Sequence, residues 1–259
     1  MTTLLTAGDI IDRSAQFYRL HLGKVLRVTV WSLAAGLAAG VAENLLLWLG
    51  QTDTLIGKIV LLLTGLPVMA VSVFVTLLLT RAMVREIKGA ERCPAATWRD
   101  AARSFWPMAA TLILVTALIF LGGMAFLVPG VIFWTWFAFA PVAVATGDAG
   151  VKKSFGLSRE LVAGKFFSVL WRLAAPMIFF FLLQLVMLLL TTLLLQGAVR
   201  GVWSIEILVA GAPLWFLLLL SLIMEVIRTA VLPLFVFSAT MLYLALSDAK
   251  PEPTKPEQV

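Results

Sequence analysis

In the stretch LLLLSLIMEVIRTAVLP, residues 217–233, a glutamate and an arginine stand three residues apart inside an apolar run. Side chains at that spacing share one helical face, so Glu225 and Arg228 can neutralise each other where either charge alone would be expensive. Such a pair does one of two things in a bilayer: it locks helices together, or it holds a proton, ion or substrate midway across. Gln184 lies 13 residues after Trp171 and reaches similar depth, completing a candidate midplane polar site.

Other chemistry is sparse. His21 is the sole histidine and has no Cys, Asp or Glu at ligand spacing, so no metal is expected. Cys93 is the sole cysteine; it cannot form an intramolecular disulfide, and its basic surroundings predict the reducing side of a membrane. The sequence contains no Gly-rich phosphate loop, no Gly-x-Ser-x-Gly elbow and no His-Glu-x-x-His. No enzyme and no cofactor are expected.

The elements that must position these residues follow from composition. Of 259 residues, 61% are hydrophobic and 13% charged, too few polar groups to cover a water-soluble surface. The chain is predicted to be all-α and polytopic, with spans near 25–49, 58–80, 107–128, 131–147, 166–195 and 213–247. Residues 1–247 read as one membrane-embedded domain and 248–259 as a disordered tail. Val128-Pro129-Gly130 predicts a tight turn between the third and fourth spans, with proline fixing φ and glycine supplying a positive one. No short apolar region with a small-residue cleavage site opens the chain, so the N-terminus is expected to be retained.

Orientation follows from the basic residues. Seventeen of the 20 Lys and Arg fall in the N-terminal segment, the second and fourth connections and the tail. Only Lys58 and Arg200 fall opposite, so both termini are expected in the cytoplasm of a bacterial inner membrane. Tryptophans near both sets of span ends agree, with Trp134, Trp136 and Trp215 among those at the outer end and Tyr243 an inner anchor. The net charge of +6 then describes one face against anionic lipid, and no nucleic acid is needed to explain it.

Three basic segments repeat one device. VKKSFGLSRELVAGKFF, residues 151–167, sets Val151, Phe155, Leu157, Leu161 and Val162 against Lys152, Lys153 and Arg159, with Asp148 as the expected N-cap. Near the start, Ile10, Phe17 and Leu22 oppose Arg13 and Arg19, and Ser14 and Arg19 repeat the spacing of Ser154 and Arg159. In TWRDAARSFWP, Thr97 and Asp100 form a capping pattern, and Trp98 and Phe105 oppose Arg99 and Arg103. The chain therefore reads as three helical hairpins, each preceded by a cytoplasmic amphipathic helix whose cations contact anionic headgroups. Such helices either only anchor their hairpins or form a lipid-responsive or partner-binding surface.

Gly36 and Gly40, four residues apart, allow close approach of another helix, either within the chain or across a homodimer. Pro67 and Pro141 predict kinks within spans.

YRLHLGKVL, VPGVIFWTWFAFAPVAV, VKKSFGLSRELVAGKFF and PLFVFSATMLYLAL, in that order, resemble the membrane domain attached to some bacterial glycerophosphodiester phosphodiesterases and found in related stand-alone membrane proteins. The resemblance implies a six-helix membrane fold. It does not extend to a phosphodiesterase catalytic domain. Trp134 and Thr135 stand where that family usually carries an arginine-bearing helix, and Leu244-Ala245-Leu246-Ser247 replaces its usual charged ending. Two functions are thus expected in order: a non-enzymatic lipid-associating or partner-binding scaffold, or a small transporter using Glu225, Arg228 and Gln184.

Overall fold

The computed structural model describes residues 5–89, 98–198 and 214–248, with side chains described through residue 194 in the second segment. The described residues form helices α1 (Ala7–Leu20), α2 (Leu22–Trp48), α3 (Leu55–Lys88), α4 (Trp98–Ala125), α5 (Leu127–Phe137), α6 (Ala140–Thr146), α7 (Val151–Val162), α8 (Phe166–Ala198) and α9 (Leu214–Asp248). Six stretches are long and apolar enough to cross a membrane: α2, α3, α4, α5 with α6, α8 through Leu194, and α9. The described residues are all-helical, with the six long apolar stretches of a multi-pass membrane protein. Cys93, Thr97, Arg200 and residues 249–259 lie outside the described residues.

The protein core lies at one end of these helices. Ile10 of α1, Phe139, Val142 of α6, Leu161 and Val162 of α7, Leu173 of α8 and Leu242 of α9 form one buried cluster. A second joins Val73 and Leu77 of α3 to Met108 of α4 and Val144 of α6; a third joins Val25 of α2 to Val75 and Leu79 of α3 and Phe237 of α9. At the other end, Leu55, Phe126, Leu127 and Leu194 are each at least 75% exposed, as expected where hydrocarbon is the solvent.

α1 starts from a reciprocal cap: the Thr6 hydroxyl accepts from the Asp9 N–H at 3.2 Å, and Asp9 Oδ2 accepts from the Thr6 N–H at 2.9 Å and its hydroxyl at 2.7 Å. These bonds hold the Asp9 carboxyl below the usual carboxylate range. α1 gives way to α2 at His21, whose backbone leaves the helical region.

The turn at the other end of the bundle also differs from the sequence expectation. The chain reverses at Phe126, whose backbone is extended at φ −164° and ψ 155°, and Pro129 and Gly130 already belong to α5. Gly130 has no positive φ. Its role is close approach: a Cβ on Gly130 would lie 3.0 Å from the Gly123 nitrogen, and one on Gly122 would lie 2.7 Å from Phe133 Cδ2. The glycines let α4 and α5 meet backbone to backbone.

The segment around Trp98 to Trp106 forms no separate helix; it is continuous with the span that follows, and Pro107 sits inside α4. The Thr111 hydroxyl donates to the Pro107 carbonyl at 2.8 Å, one turn back along the same helix.

Candidate functional site

Glu225 and Arg228 lie on one unbroken helix, α9, which is long and apolar enough to cross a membrane and has Pro233 inside it. Arg228 Nη2 donates to Glu225 Oε1 at 2.7 Å. The carboxylate is the more enclosed partner, 13% exposed against 49% for the guanidinium. What encloses it is α2. A Cβ built on Gly36 would lie 1.9 Å from Glu225 Oε1, so the carboxylate occupies the notch that this glycine leaves. One turn on, a Cβ built on Gly40 would lie 3.6 Å from Ser221 Cβ. The small-residue stripe of α2 therefore serves packing within the chain, and Gly36 is covered rather than available to a second copy.

A groove of about 440 Å³ runs beside this contact, with Glu43, Asn44, Ser221, Glu225 and Arg228 as its polar lining. Asn44 Nδ2 donates to the Gly40 carbonyl at 2.7 Å, so part of this polarity is satisfied by α2 itself. Gln184 lies half-buried on α8 and does not line the groove. The structure thus brings Glu225 and Arg228 together with Gly36 and Gly40, and leaves Gln184 elsewhere.

The seven cations singled out for headgroup contact, Arg13, Arg19, Arg99, Arg103, Lys152, Lys153 and Arg159, are all exposed. The residues on the opposite sides of α1 and α7 pack on protein. Ser14, Ser154 and Ser158 are fully buried, and Ile10, Leu161 and Val162 belong to the core cluster. The matching spacing of Ser14 and Ser154 thus corresponds to a matching small, inward-facing residue on each short helix.

The role of Ser158 emerges only from the fold. The fourth span is broken between α5 and α6, where Pro141 near the start of α6 has no N–H to continue the ladder. Ser158 of α7 repairs the break: its hydroxyl donates to the Trp136 carbonyl at 2.6 Å and accepts from the Phe139 N–H at 3.2 Å. Trp136, expected at the outer end, instead meets α7, with the Arg159 guanidinium 5.0 Å from its ring centroid. A serine seven residues beyond the start of a helix gives no sequence signal for this, whereas Ala-Pro at 140–141 does mark the break.

Asp148 is not the cap of α7, which begins from Gly150 without a side-chain bond. Its carboxylate instead accepts from the Tyr243 hydroxyl at 2.5 Å and the Thr146 hydroxyl at 2.7 Å. Tyr243 is consequently a buried residue, 2% exposed, and no interfacial anchor. Arg81 is fully buried as well, donating from Nε to the Ala145 carbonyl at 2.8 Å and from Nη2 to the Ser104 hydroxyl at 2.6 Å. It ties α3 to α4 and α6. Nearby on the same end of the bundle, Lys88 pairs with Asp248 at 2.6 Å, so Asp248 is the last residue of α9 and not the first of a tail.

No protein family, curated protein or solved structure matches the chain.

Proposed function

We propose that this protein is a non-enzymatic scaffold of the bacterial cytoplasmic membrane that associates with anionic lipid through one basic face. The supporting observation is the disposition of its cations: seven Lys and Arg on α1, α7 and the start of α4 are exposed, while the inward sides of α1 and α7 are occupied by the core. In this reading both termini face the cytoplasm, where short basic connections are retained. The spans pair as three hairpins. α1 and α7 act as amphipathic helices docked on the protein, their cations directed at headgroups, and the start of α4 acts as the third such segment. A partner protein with an acidic surface is the other ligand that such a face fits. We also infer kinship with the membrane domain that accompanies some glycerophosphodiester phosphodiesterases, on the motif order alone and without its enzyme activity.

A second reading, a small permease, draws on the polar groove between α2 and α9. The seating of Glu225 against Gly36 favours a helix lock over a substrate site, because the carboxylate is already paired and enclosed.

The test of the first reading is replacement of Lys152, Lys153 and Arg159 together by Gln in protein reconstituted into vesicles of mixed phosphatidylglycerol and phosphatidylcholine. Each lost charge weakens contact with anionic lipid by about 1 kcal/mol at most. The expected result is a smaller local enrichment of phosphatidylglycerol, read by lipid-probe quenching, with the protein still embedded. Unchanged enrichment would reduce these helices to anchors.

A further inference from the structure

A second cavity, of about 300 Å³, lies where α1 ends, α2 begins and α3 approaches its last turn, with Phe237 of α9 beside it. It differs in kind from the groove around Glu225. Three cations border it, Lys24, Arg27 and Arg85, with one carboxylate, Glu86. Lys24 and Glu86 form an ion pair, and His21 Nε2 lies 3.9 Å from the same carboxylate. Among the side chains that line it, cations thus outnumber carboxylates three to one.

The walls are apolar. Phe17 stacks on His21 with ring centroids 4.3 Å apart and meets Phe237 edge-on at 4.9 Å. Leu79, Ala82 and Val28 line the rest. A cavity with cations around it and apolar walls matches one chemistry, an amphiphile whose anionic head adjoins a hydrocarbon body. Its volume is too small for a helix of a partner protein, and it lies at the basic end of candidate spans, where the two parts of a lipid are both within reach.

We propose that this cavity is a discrete binding site for one anionic phospholipid, with the phosphate beside Arg27 and Lys24 and the proximal acyl carbons along the half-buried Phe17, Val28 and Ala82. The proposal rests on the reading that the basic end meets anionic lipid, and adds to it a stoichiometric site distinct from the diffuse contacts of α7.

Two variants test it. Arg27→Gln removes a cation that is not the partner of Glu86, and Ala82→Leu fills the cavity while keeping every charge. The full chain, purified in mild detergent, is equilibrated with an equal mixture of phosphatidylglycerol and phosphatidylcholine, and retained lipid is counted by native mass spectrometry. Wild type should retain one phosphatidylglycerol, and each variant should lower its occupancy several-fold. Inorganic phosphate at millimolar concentration should not displace it; displacement would identify a simple anion site and overturn the lipid assignment. Retention of the bound lipid by either variant would also overturn the proposal. The Lys152, Lys153 and Arg159 replacement separates the two levels. If it lowers overall phosphatidylglycerol preference while the cavity variants change nothing, the site fails and the basic-face reading stands. If wild type shows no preference at all, both fail.

Discussion

Gly36→Ala should destabilise the protein through a residue that carries no charge and makes no hydrogen bond with its side chain. The added methyl would fall 1.9 Å from Glu225 Oε1, so the carboxylate must swing out of its seat and its bond to Arg228 weakens, while α2 and α9 keep their places. Removing one member of an ion pair within an apolar helix should cost more: Glu225→Gln or Arg228→Gln alone should each cost about 2 to 4 kcal/mol by leaving an uncompensated charge. The double change to Gln should recover much of that loss, and the coupling term of the cycle measures the pair directly. Gly36→Ala should also be milder in an Glu225→Ala, Arg228→Gln background, because the atom it displaces is gone. Folded yield and thermal midpoint in detergent read all of these. Additive losses without recovery would show that the pair is not a lock. A double variant that folds yet loses a measured transport activity would instead favour the permease reading.

The second large effect is expected at Ser158. Its hydroxyl satisfies both sides of the break between α5 and α6, and Phe139 is completely buried. Ser158→Ala leaves the Trp136 carbonyl and the Phe139 N–H without that partner, at about 1 to 3 kcal/mol for each group left unsatisfied. Ser158→Cys, with a longer and weaker hydrogen-bonding side chain, should fall between. Hydrogen exchange at Phe139 and its neighbours should accelerate in Ser158→Ala before the rest of the bundle loosens. Equal protection in variant and wild type would mean that the break is held by packing alone.

These residues also show which features the sequence carried. The spans and the Glu225, Arg228 pairing were legible because both rest on local rules: an apolar run must cross hydrocarbon, and residues three apart on a helix meet. On the inward side of α7, Leu161 and Val162 were legible from helical periodicity, whereas the buried Ser154 and Ser158 were not. What the inward side meets was not, because periodicity identifies an apolar stripe without saying whether lipid or protein covers it. Here protein covers it, with Leu161 and Val162 in the core. The same limit explains Gly130, whose Pro-Gly context suggested a turn although its place in the fold is a close helix contact. Tyr243 was misplaced as an anchor because its partner, Asp148, lies 95 residues away in sequence. Gln184 and Glu225 have matching depth by residue count, but depth fixes only one coordinate of three.

The proposed function requires the basic helix ends to face the cytoplasmic leaflet, and sidedness is measured most directly by an impermeant thiol reagent on intact cells. Gly130 is a poor reporter, since it is buried against Gly123; Val128, 67% exposed beside the α4–α5 turn, is suitable, as is Asp53 in the connection between α2 and α3. In a Cys93→Ser background, Asp53→Cys and Val128→Cys should label from outside, whereas native Cys93 in the unaltered chain should label only after the membrane is opened. Labelling of Cys93 in intact cells, with Asp53→Cys and Val128→Cys protected, would invert the topology and contradict a cytoplasmic basic face.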